Sequence, residues 1–224
     1  MNIDKQKLFN TYETIRVMLF VRGYTQPDSV QSINGCEWMN KPTKEERFAA
    51  YSLWAEEKSI NNIKDSLKLK ATTTPKSPET TTLVVWMCEE KLGENIQNVV
   101  YWMGDDCKKA IVIIAKDITP KSKQIVACLA KEGKYVDWFM IDDITSVLLE
   151  HKLVPKHRVC SKAEKKALLK HYDITINEVP EIKKTDPVIK FMIGSSAKKG
   201  TLIHITRESL SFEGCEEYNY RKIS

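Results

Sequence analysis

The chain has 224 residues, 29% charged and 42% hydrophobic, with 35 Lys and Arg against 30 Asp and Glu, a net charge of +5. That length exceeds one modal domain and can bury a core without covalent staples, and so mild a charge is weaker than a dedicated nucleic-acid-binding domain carries. Six scattered cysteines with no Cys-x-x-Cys spacing exclude a disulfide framework and fit a reduced intracellular compartment.

Leu8, Tyr12, Ile15 and Leu19 are spaced four, three and four apart, which places them on one face of an opening helix, and Gly23 in Arg22-Gly23-Tyr24 predicts its C-terminal cap. The longest uncharged apolar run near the start, Val17 to Val21, is too short for a signal core or a membrane span. A soluble protein without a leader or a membrane partner is expected. Thr43 and Glu46 form a capping-box pair ahead of a second helix through Phe48, Tyr51 and Trp54. Residues 68–82 are rich in Thr, Lys and Pro with little to bury, and they read as a mobile surface loop inserted within a domain.

Three apolar runs of strand length follow: Leu83 to Cys88, Val99 to Met103 and Ala110 to Ala115. The unbroken Ile111-Val112-Ile113-Ile114 predicts a central strand covered on both faces. Thr119-Pro120 opens a helix, with Thr119 able to cap and Pro120 placed where no hydrogen bond is lost, and Ile125, Val126 and Leu129 supply its apolar face. Tyr135 to Ile141 returns as a strand, so residues 1–149 read as an α/β/α domain.

Its most functional-looking element is Thr119-Pro120-Lys121-Ser122-Lys123. Free amides and a partial positive charge at a helix N-terminus, together with two lysines and two hydroxyls, suit a phosphate; the competing reading is a solvated helix start. Glu89-Glu90-Lys91 after a strand has the form of half a metal-dependent nuclease site, but the nearest second carboxylates, Glu79 and Asp65, lie in or before the 68–82 stretch. His151, His157 and Cys160 are only three candidate zinc ligands in a spacing that fits no zinc module. Neither His171 nor His204 has a nucleophile and a carboxylate placed around it by the sequence. No catalytic residue, metal or cofactor is expected.

Residues 150–224 read as a second, smaller α+β domain. They carry 15 Lys and Arg against 10 Asp and Glu, whereas residues 1–149 balance at 20 and 20, so the net charge lies here; an acidic protein partner accounts for it as well as DNA does. Pro155 removes a donor and holds Val154 extended, so the domain is entered along an extended arm. Ser161 with Glu164 caps a helix whose apolar stripe is Ala163, Ala167, Leu168 and Tyr172. Val179-Pro180 and Asp186-Pro187 read as stops of regular structure. Thr201 to Thr206 and Tyr218 to Ile223 read as half-buried strands, joined by a loop with Gly214.

The ordered phrases of this second domain are His151-x-Leu153-Val154-Pro155-x-His157, Leu168-Leu169 with Tyr172, Pro180, Asp186-Pro187-Val188, Arg207 with Ser209, and Tyr220-Arg221. Together they resemble the C-terminal domain of the fifth subunit shared by the nuclear RNA polymerases, a domain that makes up the whole of the corresponding small subunit of archaeal RNA polymerase. Arg22-Gly23-Tyr24 after an amphipathic helix, and the Thr119-Pro120 turn, resemble that family's larger domain. Departures are Glu208 where the family commonly has proline, Lys121-Ser122 in place of Ser-Ala, and longer loops before Leu202 and Tyr220. The resemblance implies a nuclease-like jaw domain without nuclease chemistry, and a C-terminal assembly domain. It implies a non-catalytic polymerase subunit that docks on the largest subunit and lines the channel of downstream double-stranded DNA, with no small-molecule substrate. On this basis Thr119, Pro120, Lys121, Ser122 and Lys123 lie near DNA. The subunit interface is formed by His151, Leu153, Val154, Pro155, His157, Asp186, Pro187, Val188, Arg207, Tyr220 and Arg221. A nuclear location follows for a cellular polymerase, and the host cytoplasm or virion for one encoded by a large DNA virus. The alternative is a stand-alone DNA-binding or DNA-cleaving protein of nuclease fold.

Overall fold

A computed structural model of the chain describes residues 5–24, 30–32, 37–56, 58, 69–72, 81–87, 96–105, 107–115, 118–209 and 214–224. They fall into two compact units, Met1–Ser146 and Val147–Ser224, a division three residues before the boundary drawn from the sequence.

In the first unit, helix α1 (Lys5–Val21) buries Leu8, Tyr12, Ile15 and Leu19. It stops at Gly23, whose φ of 87° lets Gly23 N–H reach Phe20 O at 2.9 Å and Tyr24 N–H reach Leu19 O at 3.0 Å, the paired closure of a Schellman cap. Helix α2 (Lys44–Ala55) starts at a complete capping box: Thr43 Oγ1 accepts from Glu46 N–H, and Glu46 Oε2 from Thr43 N–H. Between them the 3-10 turn Glu37–Asn40 sets the Trp38 ring edge-on to Tyr12 and Tyr51, with centroids 4.7 and 5.0 Å away. Offset and edge-on rings gain more than their buried area alone provides.

The sheet of this unit has the order β1 (Val30–Ser32), β2 (Leu69–Thr72), β3 (Thr81–Met87), β4 (Cys107–Ile114) and β5 (Tyr135–Met140). Strands β1, β2 and β3 are antiparallel, and β3, β4 and β5 are parallel. Parallel neighbours need crossovers, supplied by α3 (Ile96–Met103) and α4 (Pro120–Lys131). These helices cover one face of the sheet in a core that includes Val85, Val99, Met103, Val112, Ile114, Val126 and Val136. Residues of the opposite parity, Val84, Ile111, Ile113 and Phe139, are also buried, and the end of α1 is fastened on that side by Arg22 to Asp137 at 2.7 Å and by Tyr24 to Thr82. The unit is therefore a mixed helix and sheet structure with β4 covered on both faces.

Two sequence expectations fail here. Val99 to Met103 is helical, because Ile96, Val99 and Met103 recur at three and four residues on one buried face and that period, not the length of the apolar run, decides its form. The 68–82 stretch is not wholly loop: Leu69–Thr72 pairs with Thr81–Val84, threonine being a β-branched residue that suits a ladder. Residues 73–80 lie outside the described residues.

The second unit is a four-stranded sheet in the order β6 (Lys156–Val159), β8 (Leu202–Glu208), β9 (Glu216–Ile223), β7 (Glu181–Ile182). Strand β8 is antiparallel to β6 and β9, and β7 runs parallel to β9. Its core includes Ile189, Ala197, Ile203, Ile205 and Ile223. Asp186-Pro187 does not end structure but begins helix α6 (Pro187–Met192): Asp186 Oδ1 accepts from Val188 N–H at 2.9 Å, and Pro187 sits at the first helical position. Helix α5 (Lys162–His171) has the predicted capping box at Ser161 and Glu164. The expected apolar stripe is not a buried one: Ala163, Ala167 and Tyr172 are exposed and Leu168 is half-buried, since small alanines and charged residues at half its positions leave the helix little to bury.

Candidate functional site

The second unit carries an open groove of about 320 Å³. Leu153, Val154 and Pro155 of the entering arm form one wall, Asp186 and Val188 at the start of α6 another, and His157, Ile182, Ile205, Arg207 and Arg221 of the sheet the floor and rim. Strand alternation explains the floor. His157 pairs with Ile205, and Ile203 with Arg221, so these residues share the face that α6 covers at the core and leaves open beyond it.

The arm is held locally. His157 Nδ1–H donates to Pro155 O at 2.7 Å, His151 Nδ1 accepts from Leu153 N–H at 3.3 Å, and Val154 N–H reaches His151 O at 2.9 Å. This turn projects Leu153 outward, 83% exposed. Arg221 Nη1 donates to Glu181 O at 3.2 Å, and Asp186 is committed to capping α6. The groove thus presents apolar walls and two guanidinium groups.

Of the interface residues named from the sequence, Leu153, Val154, Pro155, His157, Asp186, Val188, Arg207 and Arg221 come together here. His151, Pro187 and Tyr220 do not line it. Tyr220 lies on the other face of β9, its ring 4.9 Å from His204, which also stacks on Tyr218 at 5.3 Å. Sequence reasoning missed Ile182 and Ile205 as lining residues. Ile205 was within reach, being two residues from Arg207 and so on the same face; Ile182 was not, because its place depends on β7 pairing with β9.

At the turn into α4, Thr119 Oγ1 caps Ser122 N–H at 3.3 Å and lies 2.9 Å from Ser122 Oγ. Ser122 is fully buried, whereas Lys121 and Lys123 are exposed. The Ser122 hydroxyl therefore belongs to the cap, and any phosphate contact falls to the lysines.

Outside these sites, His171 is exposed with its ring edge against Tyr172, and burial pushes the Cys160 thiol up. On the surface beside it, Arg158 Nη2 is 2.8 Å from Glu164 Oε1, and the guanidinium with the Ser161 cap holds the Glu164 carboxyl down at about 2. Glu89, Glu90, Lys91, Glu79 and Asp65 lie outside the described residues. Among the described residues no three His, Cys, Asp or Glu side chains gather as a metal site, and no helix is long and apolar enough to cross a membrane.

Residues 147–221 match the family model of the RNA polymerase Rpb5 C-terminal domain, nearly the whole of the second unit. The chain is 47% identical over 62 residues to the DNA-directed RNA polymerase subunit Rpo5 of Pyrococcus abyssi, covering 28% of this chain and 72% of that protein. It is 44% identical to the Rpo5 of Thermococcus kodakarensis over the same length, again 28% of this chain and 72% of that protein. Over 102 residues it is 31% identical to the DNA-directed RNA polymerases I, II, and III subunit rpabc1 of Dictyostelium discoideum, spanning 45% of this chain and half of that relative. These proteins are all polymerase subunits. The chain belongs to the Rpb5 family of RNA polymerase subunits, non-catalytic members of a nucleotidyltransferase complex. The stand-alone nuclease reading gains nothing from these relatives.

Proposed function

We propose that this chain works inside a multisubunit DNA-dependent RNA polymerase. Its second unit docks on the largest subunit through the groove, and its first unit acts as a nuclease-like jaw beside downstream double-stranded DNA. The observation that carries this reading is the convergence of eight motif residues, scattered from Leu153 to Arg221, on one open groove. A leucine left 83% exposed on an ordered turn is the kind of anchor that gains most when a partner covers it. The jaw assignment rests on the parallel β3-β4-β5 arrangement with helical crossovers and on the exposed Lys121 and Lys123 at the start of α4, whose ammonium groups would meet a duplex phosphate. The eukaryotic relative supports a nuclear location.

Affinity purification of the tagged chain from its own cells tests the reading. The largest polymerase subunit is expected to co-purify in near-equal amount, and Leu153→Asp in the full-length chain to release it. Recovery of polymerase unaffected by that substitution overturns the docking assignment.

A further inference from the structure

The groove's charges are unbalanced. Arg207 and Arg221 both line it, while Asp186, the acidic residue among its lining groups, turns one oxygen onto two amides of its own helix, Val188 N–H at 2.9 Å and Ile189 N–H at 3.4 Å. Glu217, cross-strand from Arg207, accepts from Ser209 Oγ at 2.8 Å. Among the described residues the groove lining thus sets two guanidiniums against one carboxylate, Asp186, which turns an oxygen to its own helix; both arginines are exposed, and Arg221 also donates to Glu181 O at 3.2 Å. Beside them stand apolar side chains from the arm and α6. His157 spends its Nδ1–H on Pro155 O, which leaves Nε2 as its remaining ring nitrogen.

We infer that the groove is a receptor for an acidic side chain, aspartate or glutamate, that sits next to an apolar residue in an extended segment of a polymerase partner. Arg207 and Arg221, four residues apart in the β8–β9 register, are the guanidiniums offered to the carboxylate, and Leu153 and Val154 cover the apolar neighbour. This rests on the docking reading above and adds the chemistry of what is recognised. Guanidinium and carboxylate match in shape and make charge-assisted bonds stronger than neutral ones. A duplex phosphate fits less well, since groove walls of Leu, Val and Pro offer a sugar-phosphate backbone no partners.

The test uses the full-length chain assembled with the polymerase. Arg207→Gln with Arg221→Gln is expected to weaken capture of the largest subunit roughly tenfold or more, the order for losing charge-assisted contacts, while the Lys pair R207K with R221K retains part of it. The introduced amines then serve as a probe: a carbodiimide joins an amine to a carboxylate with loss of water, and mass spectrometry of the R207K, R221K complex should find an amide from position 207 or 221 to an Asp or Glu of another polymerase subunit. If Leu153→Asp releases the polymerase but the Gln pair binds unchanged and no such amide forms, docking stands and the carboxylate inference is overturned. If neither Leu153→Asp nor the Gln pair has any effect, both readings fall. Competition by a short DNA duplex, abolished in the Gln pair, would also overturn it in favour of a phosphate site.

Discussion

Arg47 of α2 grips Glu13 of α1 with two parallel contacts, Nε to Oε1 at 2.7 Å and Nη2 to Oε2 at 2.6 Å, and both side chains are about nine-tenths buried. The guanidinium also donates to Lys41 O and Pro42 O, so one side chain fastens the loop before α2 and the first helix together. Glu13 reciprocates by holding Arg47 in its charged form.

Such a pair is weak evidence for stability but expensive to halve. Glu13→Ala leaves a buried guanidinium without its carboxylate and is expected to cost about 3 kcal/mol. The double variant Glu13→Leu with Arg47→Met should lose markedly less than the two single changes combined. Urea unfolding followed by tryptophan fluorescence measures this; strict additivity would show that the two side chains act independently.

Gly23 is required by backbone conformation, not by space. Its φ is 87° and a Cβ there would meet nothing within 4 Å. Gly23→Ala should destabilise the first unit by about 1–2 kcal/mol, and Gly23→Asn by less because asparagine tolerates the left-handed region. Thermal melts of the three chains give the ranking.

The capping box of α5 makes the second unit sensitive to acid. Ser161→Ala removes the acceptor for Glu164 N–H and should cost about 1 kcal/mol. Glu164 titrates at about 2 instead of 4.5, so its folded-state pKa lies below its unfolded one. Its contribution is therefore complete above about pH 4.5 and lost as the pH falls towards 2. Glu164→Gln should melt lower than the natural chain at neutral pH, with the gap closing across that window. A gap that stays constant down to pH 2 would show that the ion pair with Arg158 contributes nothing.

Lys121 and Lys123 test the jaw. Replacing both by Ala is expected to leave assembly with the polymerase intact, weaken its hold on downstream duplex equally for all sequences, and reduce the salt slope of binding by up to about two, one per phosphate contact. An unchanged slope in the assembled complex would leave the turn as a helix start alone.

Much of this architecture was written locally. The starts of α2, α4 and α5 follow from Thr43 with Glu46, Thr119-Pro120, and Ser161 with Glu164, because a cap is a contract among residues three apart that needs no distant partner. Gly23 ends α1 for the same reason, and the doubly covered β4 is announced by an unbroken Ile-Val-Ile-Ile. Tertiary structure decided the rest. The apolar run Val99 to Met103 became a helix because the crossover from β3 to β4 needs one and Ile96, Val99 and Met103 find the core on one side. Asp186-Pro187, read as a stop, became a start because residues Val188 and Ile189 gain burial by turning into α6. The Glu13 to Arg47 clasp joins residues 34 apart, and no local pattern encodes that meeting. The groove is the clearest case: the sequence named its motif residues one by one, but pairing of β6, β8 and β9 had to bring His157, Arg207 and Arg221 to one face beside the arm, since only a sheet converts separation along the chain into adjacency.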